Sequence, residues 1–177
     1  KPLGMGDGIL RAREFLSPKE NFLVVNGSQV SALHVLAREK RALKLLSDRV
    51  LLFGQKTATP EKYGIMEMHH DRVVCIVEKP KVAMGNIRIL GIYALPYWFL
   101  KDLAKFEGEY SLEAALFAAL NKFDGVQGIV MSEELNFSSL KFPWDLLEMN
   151  RHLMDQWNIK SVHKEDEVDI HPSALLF

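Results

Sequence analysis

Apolar residues come in two rhythms along the 177-residue chain. Phe22-Leu23-Val24-Val25, Val50-Leu51-Leu52-Phe53 and Leu90-Gly91-Ile92-Tyr93-Ala94 are short unbroken runs bounded by turn residues. Such runs predict strands buried on both faces. Between them the spacing is helical. Ile9, Leu10, Ala12 and Leu16 share one face of a helix over 9–16, which Ser17-Pro18 stops. Leu33, Leu36, Ala37, Leu43 and Leu46 predict a helix over 32–46, and Leu112, Ala115, Leu116, Ala119 and Leu120 trace one face of another. Pro96 opens a helix reaching Leu103, and Pro143 one reaching Met154, since proline is well tolerated at a first helical position. Further strands are expected over 126–131 and 135–140.

The stretch 63–77 reads as two short apolar strands joined by a polar turn at His69-His70-Asp71. Neighbouring histidines on a strand point to opposite faces, so a turn suits them better than a metal site. Strands alternating with helices predict an α/β fold, Rossmann-like and layered. Its sheet is expected to be mixed, mostly parallel, with helices on both faces. Ligands of such sheets sit at the carboxyl ends of strands, which directs attention to the loops 26–28, 78–79 and 137–142.

Composition narrows the picture. The chain is 48% hydrophobic and 25% charged with a net charge of −1, an ordinary globular balance. It has no basic block to suit nucleic acid or an anionic membrane. Cys75 is the single cysteine. A lone thiol in an apolar strand fits a reducing cytoplasm. No apolar run approaches a membrane span. The opening Lys1-Pro2-Leu3 and the closing Leu175-Leu176-Phe177 read as cuts through a longer chain.

The chemistry concentrates at Glu78-Lys79-Pro80, which closes the second hairpin strand. A fixed carboxylate beside a fixed ammonium suits a ligand with hydroxyls at one end and phosphate at the other, as in a sugar phosphate. Taken alone, such a pair is ordinary solvated surface charge.

Four segments together resemble the sugar-1-phosphate nucleotidyltransferases. They are Leu3-Gly4-Met5-Gly6-Asp7-Gly8, Phe22-Leu23-Val24-Val25-Asn26-Gly27-Ser28, Tyr63-Gly64 with Val77-Glu78-Lys79-Pro80 and Gly91-Ile92-Tyr93, and Phe142-Pro143-Trp144-Asp145. The resemblance implies a nucleotidyltransferase-like domain over 1–157, then a linker and the first coil of a left-handed β-helix over 158–177. It implies that a nucleotidyl group passes from a nucleoside triphosphate to a sugar 1-phosphate, with Mg²⁺ as the expected cofactor. Gly64, Glu78, Lys79 and Gly91 would then face the sugar phosphate, and Gly4 and Gly6 the nucleotide base. Self-association through the β-helix is also implied. No residue is assigned a catalytic role.

Three features depart from the family pattern. The opening strand and its phosphate-binding loop are not in this sequence. Ser28 and Ser139 stand where the family places its two metal-binding aspartates. Ile89 replaces an asparagine that would donate to the sugar. Mg²⁺ is usually held by one or two carboxylates, so the two serines open an alternative: a degenerate member that binds nucleotide sugars or serves as a regulatory subunit without turnover.

Overall fold

The computed structural model describes residues 3–29, 32, 49–82, 85–109, 111–122, 125–133, 140 and 142–157. It divides into two compact units, Lys1–Phe137 and Ser138–Phe177. The expected helix over 32–46 (beyond Ala32), the strand over 135–140 (beyond Leu140), Ser139 and the β-helix coil lie outside the described residues.

The first unit carries helix α1 (Met5–Arg11), a 3₁₀ turn (Ala12–Phe15) and strands β1 (Phe22–Val25), β2 (Val50–Lys56), β3 (Gly64–His69), β4 (Arg72–Glu78) and β5 (Ile87–Leu95). Helices α2 (Phe99–Leu103) and α3 (Ser111–Leu120) and strand β6 (Val126–Val130) follow. The helical segment begins four residues earlier than its apolar spacing predicts. Gly6 and Gly8 in its first turns hide the periodicity that the sequence would otherwise show.

The strands form one mixed sheet in the order β1-β5-β2-β6-β4-β3, and β3 also pairs with β5. Hydrogen-bonded neighbours therefore run in a circuit through β5, β2, β6, β4 and β3. Among the described residues only β2–β6 is parallel, and the other pairings are antiparallel. This corrects the mostly parallel sheet that the apolar runs suggested. Burial on both faces comes from covering layers, and a strand so covered reads as an unbroken apolar run whichever way its neighbours point.

β2 shows why the run is unbroken. Val50 and Leu52 enter the core on one face, with α1, α2 and α3. Leu51 and Phe53 enter a second core on the other, with Leu90, Ile92, Ala94, Met131 and Ala32. All four β2 side chains are fully buried. On the helical side, Leu112, Ala115, Leu116, Ala119 and Leu120 of α3 are buried as their spacing predicts. The C-terminal end of α3 receives Arg72 from β4, whose Nη2 donates to the carbonyls of Leu120 at 3.4 Å and Lys122 at 3.5 Å. A cation there satisfies exposed carbonyls and suits the helix dipole.

The polar turn between β3 and β4 falls at His70-Asp71, with His70 in the left-handed region at φ 58°. In the second unit, helix α4 (Asp145–Trp157) follows Pro143. Asp145 Oδ2 accepts the Phe142 N–H at 2.8 Å, and the Asp145 N–H donates to the Phe142 carbonyl at 3.0 Å. The carboxylate thus satisfies a donor left over at the helix start, the reach-back half of a capping box.

Candidate functional site

β5 changes partners halfway along. Its first residues, Ile87 and Arg88, pair with β3, while Ile92 to Leu95 pair with β1. On its other edge β2 runs past both halves, but the register slips: Leu52 faces Tyr93 and Gly54 faces Ile89. Two more residues of β5 than of β2 lie in that interval, which defines a bulge. Gly91 sits in it at φ +67°. A side chain there would be strained, and its Cβ would lie 3.1 Å from that of Asn26. Glycine at 91 is thus required by the bulge itself.

The end of β1 and the start of β3 meet the same edge of β5 on either side of this bulge. The Asn26 N–H donates to the Gly91 carbonyl at 2.8 Å, and Asn26 Oδ1 accepts the Ser28 N–H at 3.3 Å. This side-chain turn carries the chain away from β1 through Gly27 and Ser28. Across the bulge, Gly64 lies directly opposite Glu78. A Cβ at 64 would come within 2.7 Å of Glu78 Oε2 and 3.9 Å of Ile89 Cδ1. The bare backbone of Gly64 leaves room for the carboxylate.

Lys79 then turns sharply. It has φ 44°, and its N–H donates to the Tyr63 carbonyl at 3.0 Å. Left-handed backbone costs a non-glycine residue roughly 1–2 kcal/mol, and the following Pro80 adds its own restriction. Strain of this kind persists where surroundings enforce it and concentrates at functional sites. The Lys79 Nζ lies 3.7 Å from Glu78 Oε1, with side chains 63% and 52% exposed. An exposed pair is worth at most about 1 kcal/mol, so both groups remain available to a ligand.

Tyr93, already quoted within the Gly91-Ile92-Tyr93 segment, and Glu113, which sequence reasoning left aside, belong to this neighbourhood. Tyr93 is buried, and burial pushes its phenol well above the ordinary range, with the Glu113 and Glu78 carboxylates adding to the rise. Glu113 comes from the first turn of α3. Its Oε2 is buried and has no hydrogen-bond partner among the described residues. A carboxylate placed between Leu112 and Ala115, beside the apolar stripe, was the available signal.

The glycines expected to face a base are held by packing. Gly4 has φ +94°, and a Cβ there would lie 2.5 Å from the Glu109 carbonyl oxygen. A Cβ at Gly6 would overlap Ser111 Oγ and approach Leu103 Cδ1 to 3.1 Å. Close approach of α1 to the start of α3 therefore demands both glycines without any ligand.

The donors around Ser28 do not match a Mg²⁺ site. Position 28 offers a hydroxyl and Asn26 a neutral amide, where the ion is usually held by carboxylates. Among the described residues no group of three or more His, Cys, Asp or Glu side chains is placed to hold a metal.

Residues 1–133 match the family model described as Nucleotidyl transferase, and the chain belongs to that family. It is 25% identical over 169 residues to the bifunctional protein GlmU of Methanocaldococcus jannaschii, covering 93% of this chain and 38% of the relative. It is 30% identical over 93 residues to a glucose-1-phosphate thymidylyltransferase of Xanthomonas campestris, covering 52% of this chain and 31% of that protein. The chain thus spans about a third of the length of these relatives. Among solved structures, HddC from Yersinia pseudotuberculosis superposes with a TM-score of 0.62 at 20% identity, covering 86% of this chain and 64% of that one. That likeness is one of fold. No helix among the described residues is long and apolar enough to cross a membrane.

Proposed function

We propose that this chain forms the sugar-phosphate side of an enzyme that moves a nucleotidyl group from a nucleoside triphosphate to a sugar 1-phosphate. A phosphate oxygen of the sugar phosphate attacks the α-phosphorus, a new P–O bond forms, and pyrophosphate leaves with the electrons of the broken bond. The protein's part in such a reaction is mainly positioning and charge neutralisation. The observation that carries this reading is the corner at the β5 bulge, where Glu78 faces the bare backbone of Gly64 and a strained Lys79 stands beside it. Glu78 accepts from sugar hydroxyls, Gly64 lets the ring approach the backbone, and Lys79 neutralises phosphate charge. The fold and the sugar-phosphate activities named for relatives support the same reading.

A second reading is favoured by Ser28. A hydroxyl at the family's metal position suits a member that holds a nucleotide sugar without turning it over. One assay separates the two. The protein is incubated with Mg²⁺, each nucleoside triphosphate and a panel of sugar 1-phosphates, and pyrophosphate is followed. Release dependent on both substrates supports transfer. Tight binding of a nucleotide sugar without pyrophosphate release supports the second reading, and neither result sinks both.

A further inference from the structure

Arg88 lies on the opposite face of β5 from Ile87 and Ile89, and it is tied down at both ends of its reach. Its Nη2 donates to Gln55 Oε1 at 2.7 Å. Gln55 is a buried polar residue, 5% exposed, and its Nε2 donates in turn to the Ser132 carbonyl at 2.8 Å. With its amide oxygen and nitrogen both engaged, Gln55 has a fixed orientation and holds the guanidinium in place. The Arg88 Cζ then sits 5.1 Å from the centroid of the Tyr63 ring, within the range for a cation over an aromatic face. Tyr63 is also the residue whose carbonyl accepts the Lys79 N–H.

We propose that Arg88 is a positioning residue for the ligand corner: clamped by Gln55, it seats the Tyr63 ring so that the Tyr63 carbonyl holds Lys79 in its left-handed turn. Lys79 cannot keep that conformation by its own preference, because φ 44° disfavours any residue with a Cβ and Pro80 follows it. The surroundings must supply the constraint. The Tyr63 carbonyl is the backbone acceptor of the Lys79 N–H, so what fixes Tyr63 fixes the backbone from which the Lys79 side chain departs. Arginine suits the position for its planar face on the ring and its forked donors, which lysine lacks. That this corner binds a sugar phosphate rests on the proposed function. The clamp itself does not.

Amide hydrogen exchange by NMR tests the clamp without any ligand. In Arg88→Met the Lys79 amide is expected to lose protection by about tenfold or more, while the Leu52 amide in the core keeps its own. Gln55→Leu should produce the same loss, and adding it to Arg88→Met should cost little further, as for two members of one unit. Arg88→Lys should restore only part. With glucose 1-phosphate as probe, the dissociation constant should rise about tenfold in Arg88→Met while nucleoside triphosphate affinity stays unchanged. Unchanged Lys79 protection in a folded Arg88→Met overturns the proposal. If that variant does not fold, unchanged protection in Gln55→Leu overturns it equally. Loss of protection in a protein whose wild type binds no sugar phosphate leaves the clamp standing and removes the functional reading.

Discussion

Glu78 and Lys79 show why a charged pair at the end of a strand needs its setting before it means anything. Their separation and exposure are those of any solvated pair, and the tripeptide taken alone favours that reading, which the neighbouring segments reverse. What distinguishes them is the glycine opposite Glu78 and the left-handed backbone of Lys79, neither of which a list of residue types displays. Glu78→Gln keeps the shape and removes the charge, and should weaken glucose 1-phosphate binding by roughly tenfold to a hundredfold, as expected for a charge-assisted hydrogen bond. Titration calorimetry reads it. Lys79→Gly should separate stability from binding. The fold becomes neutral to about 1 kcal/mol more stable as left-handed strain is relieved, yet affinity falls by about tenfold. Urea midpoints measured beside calorimetry check both halves. Tyr93 supplies a pH signature. Because burial raises its folded pKa above the unfolded value of about 10, the folded state retains a proton that the unfolded state releases. Its contribution is fully present below pH ~10 and is lost above it, at up to about 1.4 kcal/mol per pH unit for one proton. Tyr93→Phe should flatten that slope in alkaline unfolding experiments.

Among the elements, helices and strands were legible wherever one periodicity ruled. The four apolar residues of β2 and the stripe of α3 could be read directly, because each follows from which face is covered. Strand direction could not, since it depends on which strands come together across long sequence distances. β5 was also read short. Arg88 interrupts its apolar pattern, yet Ile87 and Ile89 alternate with it and extend the strand to nine residues. The bulge was visible only as a glycine inside an apolar run. Gly91→Ala should therefore cost about 1–2 kcal/mol, from left-handed strain together with crowding at Asn26. Phe53→Ala, in a fully buried position of β2, should cost about 3–5 kcal/mol. Denaturant unfolding distinguishes these amounts, and only the glycine variant should also disturb ligand binding.

At the scale of the whole molecule, the family was legible because short segments recur in order across most of the chain. The metal question was legible only as a substitution, a hydroxyl where a carboxylate is expected. Restoring Ser28→Asp together with Ser139→Asp should raise Mg²⁺-dependent pyrophosphate release by several orders of magnitude if the serines are what limits turnover, and a coupled phosphate assay would detect it. Self-association through the β-helix, implied by family likeness, should appear in light scattering as a multiple of the chain mass. The central claim is that a sugar phosphate occupies the corner made where β5 exchanges β3 for β1. An amide-resolved NMR titration with glucose 1-phosphate addresses it most directly. The account predicts shifts gathered at Asn26, Gly27, Ser28, Gly64, Glu78, Lys79 and Gly91, with the far turn at His70 and Asp71 unmoved. Saturable shifts that avoid the bulge, or none at millimolar ligand, would contradict it.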